Sequence, residues 1–99
     1  MDPVKKILWT LHAFEDLKGF IEWIQSENPR SAQTWAGQLL ERIEKLAAYP
    51  QLGRSIPELE ASRYREIIFG DYRMIYEIQG KTIGIIRILH SKQLLEAVS

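Results

Sequence analysis

The chain has 99 residues and no cysteine. That excludes a disulfide framework, thiolate zinc sites and a cysteine nucleophile. Histidine is scarce as well: His12 and His90 are the only two, far apart in sequence. A classical zinc centre is therefore not expected, and no metal or cofactor is implied. Neither charge sign is in surplus, since thirteen Lys and Arg balance thirteen Asp and Glu. Non-specific nucleic-acid binders lean on a basic surface, because phosphate neutralisation supplies most of their affinity. Only a local basic patch remains open to this chain. No apolar run approaches the ~18 residues of a membrane span. The start, "MDPVKK", has no apolar stretch behind a basic segment, so no secretory signal is expected and the cytoplasm is the expected compartment.

What is present is an ordinary globular composition, 45% hydrophobic and 26% charged, which at this length implies one domain over residues 1–99. Residues 4–9, "VKKILW", read as a first strand, and Thr10 is a plausible N-cap for a helix beginning just after it. Phe14, Leu17, Ile21 and Ile24 then recur at spacings of three and four, with Phe20 flanking, which predicts an amphipathic helix of about four turns. Asn28 can cap a second helix and Pro29 fits its first position. Ala32, Ala36, Leu39, Ile43 and Leu46 make that helix's apolar stripe, widened by Trp35 and Leu40. The short connection predicts an antiparallel helix hairpin. Trp9 and Trp23 are expected to pack internally and His12 to be structural.

Residues 49–62, "YPQLGRSIPELEAS", carry two prolines and a glycine and no clear period, and read as a loop. Three strands are predicted at 63–69, 72–79 and 82–89, joined by "GD" and "GK", both with tight-hairpin chemistry. In the middle strand Tyr72, Met74, Tyr76 and Ile78 share one face, with Arg73, Ile75 and Glu77 on the other. The fold class is thus α+β: a helix hairpin on one face of a small, mainly antiparallel sheet, in the order β-α-α-β-β-β. Arg73 should lie on the face away from the helices. The last strand, "IGIIRIL", is apolar on both sides, so the open face is expected to carry a hydrophobic strip that something else covers.

The helix "AFEDLKGFIEWI", the loop "LAAYPQLGRSIPEL" and the run "YREIIFGDYRMIYEIQGKTIGIIRILH" resemble the RelE/ParE superfamily of bacterial toxins. The likeness runs from about Leu8 to Leu94 and rests on the conjunction Pro-x-x-Gly-Arg, Arg-Glu-Ile, Tyr-Arg-x-Ile-Tyr and an apolar strand ending in His. It implies a toxin encoded beside a small antitoxin, which wraps and silences it in a hetero-oligomer. RelE-like members cut messenger RNA on the ribosome, whereas ParE-like members poison DNA gyrase.

Metal-free RNA cleavage through the 2′-hydroxyl needs a base, an acid and cations around the phosphorane. By the resemblance, Arg73 matches the active-site arginine of the nucleases, Arg65 falls near their basic residues on the preceding strand, and His90 stands where some place a catalytic histidine. Arg54, Arg63 and Lys92 are candidates for phosphate or target binding. Ser91 follows His90 where tyrosine often stands, and the tail beyond offers Lys92 but no Tyr or Arg. The ParE-like, gyrase-directed branch is therefore favoured; the mRNA endoribonuclease and a fold that has lost toxicity stay open. The bland alternatives are an Arg54–Glu58 pair within the loop and an Arg73 pair with Glu66 or Glu77 across the sheet. Ile83, Ile85, Arg87 and Leu89 are candidates for the antitoxin contact, with Ile83, Ile85 and Leu89 expected to become buried only in the complex.

Overall fold

Thr10 closes the first strand and opens the first helix. In the computed structural model, which describes residues 4–57, 59, 62–91 and 93, β1 (Lys6–Trp9) runs into α1 (Leu11–Glu27). The Thr10 hydroxyl accepts the Ala13 amide at 3.1 Å, satisfying a first-turn donor, and donates to the Ile86 carbonyl at 2.9 Å. Asn28 alone separates α1 from α2 (Pro29–Ala48). Its amide donates to Ile24, ending α1, and its side-chain oxygen accepts the Arg30 and Ser31 amides, starting α2. Pro29 takes the first helical position, where a missing N–H costs nothing.

Beyond a short 3-10 turn (Pro50–Leu52) come β2 (Arg54–Ser55), β3 (Tyr64–Phe69), β4 (Tyr72–Gln79) and β5 (Thr82–His90). The two hairpin turns place Gly70 at φ 58° and Gly80 at φ 62°, the left-handed region that tight hairpins require and glycine enters freely. The sheet order is β1-β5-β4-β3-β2, with β1 parallel to β5 and the other pairs antiparallel. This is the predicted α+β order with one addition. Strand β2 is two residues long, too short to leave a period in the loop.

The helices cover one face of the sheet. Leu39, Ile43 and Leu46 of α2 and Ala13 of α1 pack on Met74, Tyr76, Ile83, Ile85 and Ile88. On α1 the buried position is Ala13, with Leu17 and Phe20 beside it, while Phe14 lies exposed. The predicted stripe holds at Leu17, Phe20, Ile21 and Ile24, all partly buried, and fails only in the first turn, where Ala13 takes the inward place expected of Phe14. Trp9 packs internally as expected, but Trp23 does not, being 61% exposed. Trp35 packs among Phe20, Phe69 and Tyr72, at centroid distances of 6.2, 6.1 and 5.0 Å.

The opposite face is not left open. Ile56, from the loop after β2, packs with Ile75 and Leu89 into a second small core, joined by Leu59, Tyr64 and Ile86. The hydrophobic strip predicted there is covered by the chain's own loop.

That loop hangs on one tyrosine. The Tyr76 hydroxyl accepts the Gly53 amide at 2.9 Å and donates to the Pro50 carbonyl at 2.7 Å. Tyr76→Phe leaves both backbone groups without it and should cost about 1–3 kcal/mol. Urea unfolding checks this: a midpoint within error of the parent would mean that the turn is not held from the sheet.

Candidate functional site

On the face away from the helices, Glu66 and Arg73 come together because the two-residue turn at Gly70-Asp71 fixes their register. Ile68 pairs with Arg73 and Glu66 with Ile75, so Glu66 and Arg73 lie diagonally on one face. The Glu66 side chain is 0% exposed and that of Arg73 9%. Arg73 donates Nε and Nη2 to Oε1 at 2.7 and 2.6 Å. Arg54, brought in by β2 opposite Glu66, donates Nε and Nη2 to Oε2, both at 2.8 Å. Both carboxylate oxygens are therefore held by guanidinium groups, a charge-assisted arrangement that satisfies an otherwise costly buried anion.

The other candidate arginines, Arg63, Arg65 and Arg87, are committed too. Arg65 does not join this cluster; it donates to the Gly53 carbonyl at 3.1 and 2.5 Å and to that of Gln51 at 3.5 Å, bracing the 3-10 turn. Arg63 pairs with Glu77 at 2.8 Å. Arg87 pairs with Asp16 of α1 at 2.7 Å, and this hydrogen-bonded carboxylate raises the guanidinium pKa against the opposing effect of burial. Asp16 also accepts the Ile88 amide at 3.0 Å, satisfying a β5 group beyond the end of β1. Of the two alternatives for Arg73, Glu66 is its partner. Arg54 pairs with Glu66; Glu58, the partner expected within the loop, lies outside the described residues, as does Lys92.

His90 is on the wrong side to meet Arg73. It registers opposite Tyr72, while Arg73 registers opposite Leu89. The His90 ring stands edge-on to Tyr72 at 5.5 Å, and Tyr72 packs under Phe20 at 4.9 Å. Burial, with Asp71 nearby, raises the Tyr72 phenol above the ordinary tyrosine range. Glu15 and Asp16 line the same groove as His90.

The predicted antitoxin strip is divided by an irregularity. Ile75 pairs with Arg87 but Tyr76 with Ile85, so Ile86 is an extra, bulged residue. Ile83 and Ile85 therefore face the helices and Leu89 the loop, all three already 0% exposed. The expectation that they are buried only in a complex does not hold. Simple alternation had put them on one face with Arg87, and a bulge has no sequence mark in "IGIIRIL". By contrast, the Glu66 partnership was within reach of the hairpin register. Among the described residues no group of three His, Asp or Glu side chains is placed to hold a metal ion, and no helix is long and apolar enough to cross a membrane.

Comparison with known proteins gives consistent matches. The model of a family described as the ParE toxin of type II toxin-antitoxin systems, parDE, matches residues 7–95. Toxin ParE1 of Mycobacterium tuberculosis is 31% identical over 62 residues, and the match spans 62% of this chain and 62% of that toxin's length. A chromosomal ParDE system of P. aeruginosa superposes with a TM-score of 0.72 at 22% identity, covering 88% of this chain and 96% of that one. The toxin-antitoxin complex RelBE2 of Mycobacterium tuberculosis gives a TM-score of 0.62, also at 22% identity, covering 89% and 99%. At such identities the two structures speak for the fold.

Proposed function

The chain belongs to the ParE toxin family of type II toxin-antitoxin systems, and from that premise we propose that it inhibits DNA gyrase and is neutralised by a cognate antitoxin protein. The observation that carries the choice of gyrase over RNA is the pairing of Arg73 with buried Glu66, with His90 on the opposite face of the sheet. A nuclease of this kind needs base, acid and phosphate-binding cations within reach of one phosphate. Here a phosphate would have to displace a carboxylate already held by four short contacts. Arginine itself does not deprotonate near neutral pH, and the histidine shares its groove with Glu15, whose charge repels phosphate. The antitoxin is supported by family membership and by the similar solved structures, which are a ParDE system and a RelBE2 complex.

The test uses purified chain, purified gyrase and relaxed plasmid. Dose-dependent loss of supercoiled product is expected, and restoration on adding the antitoxin. Full gyrase activity under a large molar excess of folded chain would refute the proposal. Cleavage of mRNA on programmed ribosomes in a parallel assay would favour the RelE-like reading, and silence in both assays a fold that has lost toxicity.

A further inference from the structure

The groove between α1 and the end of β5 lies apart from the Glu66–Arg73 cluster. It encloses about 570 Å³ and is walled by Phe20, Trp23, Tyr72 and His90. Aromatic walls of this kind favour both aliphatic stems and cations held over ring faces.

Its charge selects between ligands. Two carboxylates, Glu15 and Asp16, stand at the groove. Asp16 is offset by Arg87, but Glu15 has no ion-pair partner among the described residues. The local balance is therefore negative, which disfavours phosphate and favours a basic group.

The third feature is Gly19, which lines the groove between these acids and Trp23. Glycine within a helix costs stability relative to alanine. Among the described residues nothing requires it, because a Cβ at Gly19 would meet none of their atoms within 4 Å outside its own helix. The missing side chain leaves space for something arriving from outside. Gly37 on α2 is equally open, but it does not line this groove and has no such role.

We propose that this groove docks a segment of a protein partner that presents one arginine or lysine between apolar residues. The apolar stem crosses above Gly19 against Trp23 and Phe20, and the cation is held by the rings and Glu15. Docking of this kind is the same whether the chain acts on gyrase or on RNA, so the two proposals fail independently.

The probe is an acetylated, amidated peptide Leu-Ala-Arg-Ala-Leu, compared with the same peptide carrying citrulline, which keeps the shape and loses the charge. Binding to the full chain is followed by NMR at the Gly19 amide and the Trp23 indole N–H. Saturable shifts at both are expected with the arginine peptide, at least about tenfold weaker with citrulline. Glu15→Gln should weaken the arginine peptide and spare the citrulline one. Gly19→Leu should abolish binding with the fold intact by circular dichroism, since its side chain enters open space. Equal binding of both peptides, full binding to Gly19→Leu, or no saturable shift at either signal would overturn the proposal. Preferential binding of a dinucleotide at the same signals would assign the groove to nucleic acid instead.

Discussion

Replacing Glu66 with alanine is expected to cost about 3–5 kcal/mol, because it removes the buried carboxylate that holds the Arg73 guanidinium through two short contacts. A domain of this size has roughly 5–15 kcal/mol in all, so the melting temperature should fall by about 10 °C or more. Most of the loss comes from Arg73. Arg54 is largely exposed on its side of the pair, and solvent screens its contribution. Replacing both partners, Glu66→Leu with Arg73→Met, should recover much of the loss, since apolar substitutes leave no uncompensated charge. Calorimetry of the single and double variants decides the matter. A change of only a degree or two for Glu66→Ala would mean that the cluster is hydrated and Arg73 available to a ligand. The same logic bears on toxicity: if Arg73 is structural, loss of activity in Arg73→Ala should follow the fraction unfolded.

Gly53→Ala is expected to cost about 1–3 kcal/mol or more through overpacking. The backbone there has φ −76° and ψ 163°, which any residue adopts, so space rather than conformation demands glycine. A Cβ would stand 2.5 Å from Tyr76 Cε1 and 2.6 Å from the Glu66 carbonyl oxygen. Neither neighbour yields easily, since one is a buried ring anchored by two hydrogen bonds and the other is main chain in a strand. Relief therefore requires β2 to move, which withdraws Arg54 from Glu66. Gly19→Ala is the internal control, because its Cβ meets open space, and it should be neutral or slightly stabilising. Equal stability of Gly53→Ala and the parent in chemical denaturation would show that the loop shifts freely, and would remove the tie between it and the ion cluster.

The helices, caps and hairpins were legible because each has a local signature: Thr10 and Asn28 as caps, Pro29 behind one of them, and glycine at both turns. Strand β2 and the second core were not, since Ile56 lies in a segment with no period and meets Ile75 only after the sheet exists. The bulge at Ile86 was equally silent, and it redirected the candidates that alternation had grouped. Arg73 was identified as a residue of consequence, and its pairing with Glu66 followed one of the two alternatives open to it. What the sequence could not show was depth. A buried Arg73 and a solvated one read alike in "YRMIYEI", and that difference decides between a phosphate contact and a structural ion pair.

The most direct test is a pulse-label experiment in bacteria, minutes after inducing this chain alone, with thymidine incorporation followed beside leucine incorporation. An early fall in thymidine with leucine intact is predicted, as gyrase inhibition halts DNA synthesis before translation. An early fall in leucine with thymidine intact would contradict the account and return Arg73 and His90 to a catalytic role.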